Sequence, residues 1–137
     1  DAECVVSLLR DADASAPRSV GSIPASFDIT SGFGDQPLSR AGDTLTLTWA
    51  PSGTDAVVTV ELEGDCVHSE EFQLEGDPGQ FVIAPGRLVA WKSQEADSCS
   101  AALRVVRTRK GRPDPALGAH SSVVVRQIRT TRFVSVP

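Results

Sequence analysis

The chain has 137 residues, 40% of them apolar and 23% charged, with a net charge of −5. That length supports one hydrophobic core and not two, and the composition is that of an ordinary soluble globular domain. The longest apolar runs, such as Ala56-Val57-Val58 and Val123-Val124-Val125, are too short to cross a bilayer, so no transmembrane segment is expected.

The chain opens Asp1-Ala2-Glu3 with no charged-then-apolar leader, which reads as a mature product or one whose leader has been removed. Glu3 to Arg10 looks like a strand. Ala12 to Pro24, rich in Ala, Ser and Pro, reads as a linker or a long crossing loop. Residues 1–24 are therefore an N-terminal strand and linker, attached to or part of a domain over residues 25–137. Ser26 to Thr30 is a further short strand.

Alternation with period two dominates the rest of the chain. In Asp43 to Trp49, Leu45, Leu47 and Trp49 point one way and the threonines the other, which is a half-buried strand. Pro51-Ser52-Gly53 stops it. Residues 56–63 put Val58, Val60 and Leu62 inside and Thr59, Glu61 and Glu63 outside. Gly64-Asp65 turns the chain, and Val67 to Leu74 is a weaker run. Gly76-Asp77-Pro78-Gly79 is a strong turn signal. Gln80 to Ala84 is a short strand, Leu88 to Trp91 a brief strand or packed loop, and Ser93 to Ser98 a polar loop. Cys99 to Thr108 sets Ala101, Leu103 and Val105 against Ala102, Arg104 and Val106. In Ser121 to Val136, Val124, Ile128, Val134 and Val136 share one parity and Phe133 has the other, which predicts a bulge or a change of partner near Arg129–Thr131. About seven to nine strands and no helix predict an all-β antiparallel sandwich, favoured over a barrel by the uneven strand spacing.

Cys66 and Cys99 sit in matching settings, Gly64-Asp65-Cys66 and Asp97-Ser98-Cys99, at the edges of alternating runs. Such a pair suggests a disulfide, and with it a secreted, extracellular or periplasmic location. Cys4 is left over: a buried free thiol, a link to a second chain, or the true partner of either other cysteine.

Charge is unevenly spread. Residues 1–98 hold 17 acids and 5 bases, whereas residues 99–137 hold 8 bases and only Asp114 as an acid. Neighbouring strands can neutralise each other internally, or the two signs can suit head-to-tail self-association.

The run from Leu38 through Gly42-Asp43-Thr44-Leu45-Thr46-Leu47-Thr48-Trp49 to Gly53 resembles the early strand pair of bacterial immunoglobulin-like or fibronectin-III-like modules. Gly64-Asp65-Cys66, Cys99 to Arg109, and Gly111 through Asp114-Pro115-Ala116-Leu117-Gly118 to Gln127-Ile128-Arg129 are similar to uncharacterised secreted, often lipoprotein-type domains of social and predatory soil bacteria. The likeness spans roughly residues 25–137. It implies an immunoglobulin-like sandwich at the cell surface and carries no functional residues with it. A lipid-modified cysteine would begin the mature chain, whereas Asp1-Ala2-Glu3 precedes Cys4.

Chemistry-bearing patterns are sparse. A copper site wants two His, one Cys and usually Met; the chain has His68, His120 and no Met, and Cys66-Val67-His68 is too tightly spaced. No cysteine pair has zinc-finger spacing, so no cofactor is expected. No serine lies in a Gly-x-Ser-x-Gly elbow. Glu61, Glu63, Glu70 and Glu71 raise a carboxylate-pair hydrolase, but alternating strand-surface acids look the same. Asp65, Glu70, Glu71, Glu75 and Asp77 offer oxygen ligands for calcium without a loop pattern to organise them, and solvated acids are the better reading.

The basic set Arg104, Arg107, Arg109, Lys110, Arg112, Arg126, Arg129 and Arg132 suits a polyanionic partner; few aromatics lie among them, which argues against nucleic acid. The stiffened tip from Lys110 to His120 is a second candidate for recognition. The expected function is a non-catalytic binding or adhesion module for a cell-surface protein or glycan, contacted through loops or through Arg104, Arg107, Arg109, Arg126, Arg129 and Arg132. The rival is a structural subunit of a filament or surface layer, built by β-strand addition through the N-terminal arm or a Cys4 bridge.

Overall fold

A computed structural model describes residues 2–9, 15–34 and 36–137. The chain is all-β. Its strands are β1 (Glu3–Leu8), β2 (Ala16–Ser22), β3 (Asp28–Ile29), β4 (Leu38–Ser39), β5 (Leu45–Ala50), β6 (Val57–Gly64), β7 (Glu70–Gln73), β8 (Gln80–Ile83), β9 (Cys99–Gly111) and β10 (Val123–Val136). Among the described residues the helical pieces are 3-10 turns at Lys92–Gln94 and Pro115–Leu117. Among the described residues no helix is long and apolar enough to cross a membrane.

Five strands form one sheet in the order β4-β10-β9-β6-β7, and three form another in the order β3-β5-β8. All pairings are antiparallel except β4 with β10. The sheets share one core. Leu45, Leu47, Trp49 and Ile83 come from the smaller sheet, and Val58, Val60, Leu62, Ala101, Leu103, Val105 and Phe133 from the larger. These are the apolar positions that alternation places inside on β5, β6 and β9, because successive side chains of a strand alternate faces.

Two expectations fail. The first is the bulge near Arg129–Thr131. β9 and β10 keep one unbroken register from Val123↔Gly111 to Ser135↔Cys99. The inward parity of β10 is that of Phe133 and Ser135, so Val124, Ile128 and Val134 are on the outer face and remain exposed. Their apolar character is a property of the surface and not of the core.

The second is the linker at 12–24. Residues 10–14 lie outside the described residues, but Ala16–Ser22 is strand β2, paired antiparallel with β1. Its inward positions, Ala16, Ser19 and Gly21, are small and buried, which is why the segment lacks a hydrophobic alternation. Space dictates this. A Cβ on Gly21 would lie 2.4 Å from Val125 Cγ2, and one on Gly111 would lie 2.3 Å from the Val20 carbonyl oxygen. Val20 and Arg112 exchange backbone hydrogen bonds of 2.9 and 2.8 Å, fastening the N-terminal hairpin to the end of β9.

The Cys66–Cys99 disulfide is present, with its Cα atoms 5.8 Å apart. It lies just past the end of the β6–β9 ladder: Gly64 faces Ala101, Cys66 is in the turn two residues after Gly64, and Cys99 begins β9. The bond therefore staples neighbouring strands of one sheet. Cys4 is a free thiol whose Sγ donates to the Gly21 carbonyl at 3.1 Å.

Candidate interaction surface

Strand parity divides the six arginines into two sets of three. Arg104, Arg126 and Arg132 lie on the outer face of the five-stranded sheet, because they share parity with Val106, Val124, Ile128 and Val134 in the β9–β10 register. Arg107, Arg109 and Arg129 have the opposite parity. The six arginines expected to contact a partner therefore do not act as one set, a correction that follows from alternation, since odd and even positions of a strand point to opposite sides.

Arg107 is the clearest departure. Its side chain has no solvent exposure, its Nη2 lies 2.8 Å from Asp77 Oδ2, and Asp77 is equally buried. Nη1 donates to the Ala25 carbonyl at 2.8 Å and Nη2 to that of Pro51, while the guanidinium lies 4.3 Å from the centre of the Phe27 ring. Asp77 also accepts from Trp49 Nε1 at 2.7 Å and from the Thr54 hydroxyl at 2.7 Å. Burial pushes the Asp77 carboxyl up, but hydrogen bonds from Thr54 and Trp49 and the charge of Arg107 outweigh it and hold the group below its ordinary value. The same burial pulls Arg107 down. Neither residue can meet a partner, and Asp77, weighed among calcium ligands, is a structural carboxylate.

Arg109 pairs with Asp55, whose carboxyl is held below the usual range by that hydrogen bond. Arg129 lies over Phe27 at 5.5 Å and 3.6 Å from Asp28. On the outer face, Arg104 reaches Glu63 at 2.7 Å and Glu61 at 3.8 Å, so β6 and β9 neutralise each other there as cross-strand neighbours do. Glu70 is engaged by Arg87 at 2.7 Å, and Glu71 stands opposite Glu61. The four glutamates weighed for hydrolysis are thus spread over two strands, three of them beside an arginine. Among the described residues no group of three His, Cys, Asp or Glu could hold a metal ion. His68 stacks on Trp91, ring centres 3.7 Å apart.

Arg126 and Arg132 differ from the rest. Both are exposed, and neither enters an ion pair among the described residues. They share the outer face of β10 with Val124 and Ile128, each 46% exposed, Val134, 42% exposed, and the exposed Thr130 between Ile128 and Arg132. Val106, directly opposite Ile128, is buried at the centre of this face. Arg132 and Arg104 flank a shallow depression over Ala102, closed by Glu63 and Asp65. The arrangement offers a largely apolar strip with two guanidiniums that enter no ion pair among the described residues, a composition that suits desolvated contact with an anionic surface.

The hairpin tip is more built than a recognition loop needs to be. Asp114 is buried and accepts from the Arg18 and Ala116 backbone N–H groups at 2.7 and 2.9 Å, while its own N–H donates to Ser19 Oγ at 3.0 Å. A second buried arginine, Arg40, carries no signal in the sequence. It donates to Ser135 Oγ at 3.1 Å and to the carbonyls of Glu95 and Asp97 at 2.9 Å each, fixing the loop that leads into Cys99. Compared with protein families, with curated proteins and with solved structures, the chain finds no match.

Proposed function

We propose that the chain is a non-catalytic, immunoglobulin-like recognition module of the cell exterior that binds an anionic glycan or an acidic protein surface through the outer face of β9 and β10. The strand order supports the fold assignment. Taking β3, β5 and β8 as strands A, B and E, and β4, β10, β9, β6 and β7 as A′, G, F, C and C′, is compatible with an immunoglobulin strand order with an extended G-F-C sheet, with no counterpart of strand D among the described residues. The disulfide departs from that pattern by joining strands of one sheet. It also supports an oxidising compartment.

The observation that carries the binding assignment is the alternation of exposed Val124, Ile128 and Val134 with Arg126 and Arg132 on one face of β10. Solvated strand faces favour threonine and mixed charge; on this one Thr130 is the sole threonine, beside three exposed aliphatic side chains and two arginines with no acid on the strand. The test is a glycan array containing uronic-acid and sulfated sugars, with Arg126→Glu/Arg132→Glu and Ile128→Asp as controls. Binding by the native chain that weakens at least tenfold in both variants, with unchanged thermal unfolding, is expected. Binding that survives both variants would place the site elsewhere.

A structural subunit built by strand addition is the second reading. It is favoured by the outer edge of β1, which pairs with no strand among the described residues.

A further inference from the structure

The hairpin's backbone bonds show which groups on that edge are open. The Ile23 N–H donates to the Ala2 carbonyl at 2.8 Å, which makes Ala2 and Ile23 a hydrogen-bonded pair of the antiparallel ladder. Such pairs alternate. Cys4–Gly21 and Val6–Ser19 are therefore hydrogen-bonded, while Glu3 and Val5 turn their N–H and C=O away from β2. The other strand agrees. Val20, the partner of Val5, sends both backbone groups to Arg112 on the side away from β1. The step in register after Val6 falls on β2, where two residues answer one, so β1 itself stays regular.

The side chains on this edge are those of an interior strand. Val5 is 60% exposed, Val6 57% and Leu9 77%, covering both faces. Edges of natural sheets are ordinarily guarded by charge, proline or a bulge, and β1 offers only Glu3.

We propose that β1 pairs antiparallel with β1 of a second copy about a two-fold axis at Val5, joining two hairpins into a four-stranded sheet. Outward-facing groups must meet outward-facing groups, which restricts the register. Centring on Val5 sets Val5 opposite its own copy, Cys4 opposite Val6 and Glu3 opposite the neutral Ser7, so the strand's single charge never faces itself. The contact is isologous and closes at two copies. It yields a dimer where a filament needs a head-to-tail contact. It needs no Cys4 bridge and is independent of the outer-face binding site.

Light scattering and sedimentation of the full chain, in reductant, from about 10 μM to about 1 mM test this. The mass is expected to rise with concentration from 14.4 kDa toward twice that value. Val5→Pro removes an outward N–H without touching a bond to β2, and Val5→Lys places two ammonium groups at the axis. Each is expected to raise the dimer dissociation constant at least tenfold while thermal unfolding is retained, and Ile128→Asp is expected to leave the dimer intact. A monomer up to about 1 mM, a dimer that reductant abolishes, a dimer indifferent to both Val5 variants, or one lost in Ile128→Asp would each overturn the proposal.

Discussion

Arg107 and Asp77 are joined at 2.8 Å with neither side chain exposed to solvent, and through them five segments meet. Asp77 holds Trp49 of β5 and Thr54 of the following loop. Arg107 holds the carbonyls of Ala25 and Pro51 and covers Phe27. A charge pair this deep is retained only with its remaining donors and acceptors largely satisfied, since desolvation otherwise exceeds the attraction.

Breaking one side of this pair is the severest single change expected in the protein. Asp77→Asn leaves Arg107 charged and turns an amide toward Thr54 or the guanidinium. Arg107→Met leaves the carboxylate uncompensated. Each is expected to cost about 3–5 kcal/mol, read from urea unfolding, and the double variant is expected to cost less than the sum. Additive losses would mean that the two groups are not coupled.

The pair also sets the acid response. Because the folded Asp77 titrates below the ordinary aspartate value of 3.8, the folded state holds fewer protons than the unfolded chain in that range. Its contribution is fully present above the unfolded value and is lost as pH falls through the lower folded one. Urea midpoints measured downward from about pH 5 are expected to drop more steeply in the native protein than in Asp77→Asn. Equal slopes would assign the acid sensitivity to other carboxylates.

The core was legible because β5, β6 and β9 alternate without interruption, and the pair Cys66 and Cys99 because both stand at strand edges. The candidate surface was half legible. Strand identity locates Arg104, Arg126 and Arg132, but Val124, Ile128 and Val134, the apolar residues that suggest the inward parity of β10, are the exposed ones. An apolar face reads as a core face unless something else covers the other side; here Phe133 and Ser135 do so. Strand β2 was missed for a related reason. Its buried positions need small side chains against Gly111 and Val125, so it has the composition of a linker.

The disulfide is expected to act as a register lock. Cys66, in the turn just after β6, is bonded to Cys99, the first residue of β9, immediately beyond the last β6–β9 pair Gly64↔Ala101, and a slip of one residue would turn every side chain of a strand to the wrong face. With the two cysteines 33 positions apart, loop-closure entropy gives about 3–4 kcal/mol. Cys66→Ala/Cys99→Ala is expected to lose that amount and to leave the buried Arg40 without its contact to Cys66 Sγ at 3.4 Å. A loss well below it, with the fold intact, would mean that the ladder holds register unaided.

The N-terminal hairpin is expected to come away from the core sheets without unfolding them. Its attachment runs through the Val20–Arg112 backbone pair, the Arg18 N–H donating to the Asp114 carboxylate, the Asp114 N–H donating to Ser19 Oγ, and the bare backbone of Gly111. Any side chain at position 111 collides with the Val20 carbonyl at 2.3 Å and the Gly21 Cα at 3.0 Å, both of them backbone, so the strand must move. The core residues of the two facing sheets include none from β1 or β2. Gly111→Val is therefore expected to erase hydrogen-exchange protection in residues 3–8 and 16–22 while β5, β6 and β9 keep theirs, as separate cooperative units do. Its cost is about 1–3 kcal/mol, the range of an overpacked site. Simultaneous loss of protection in all these strands would instead show that Ala16 and Ser19, buried on β2, belong to the same cooperative unit as the core.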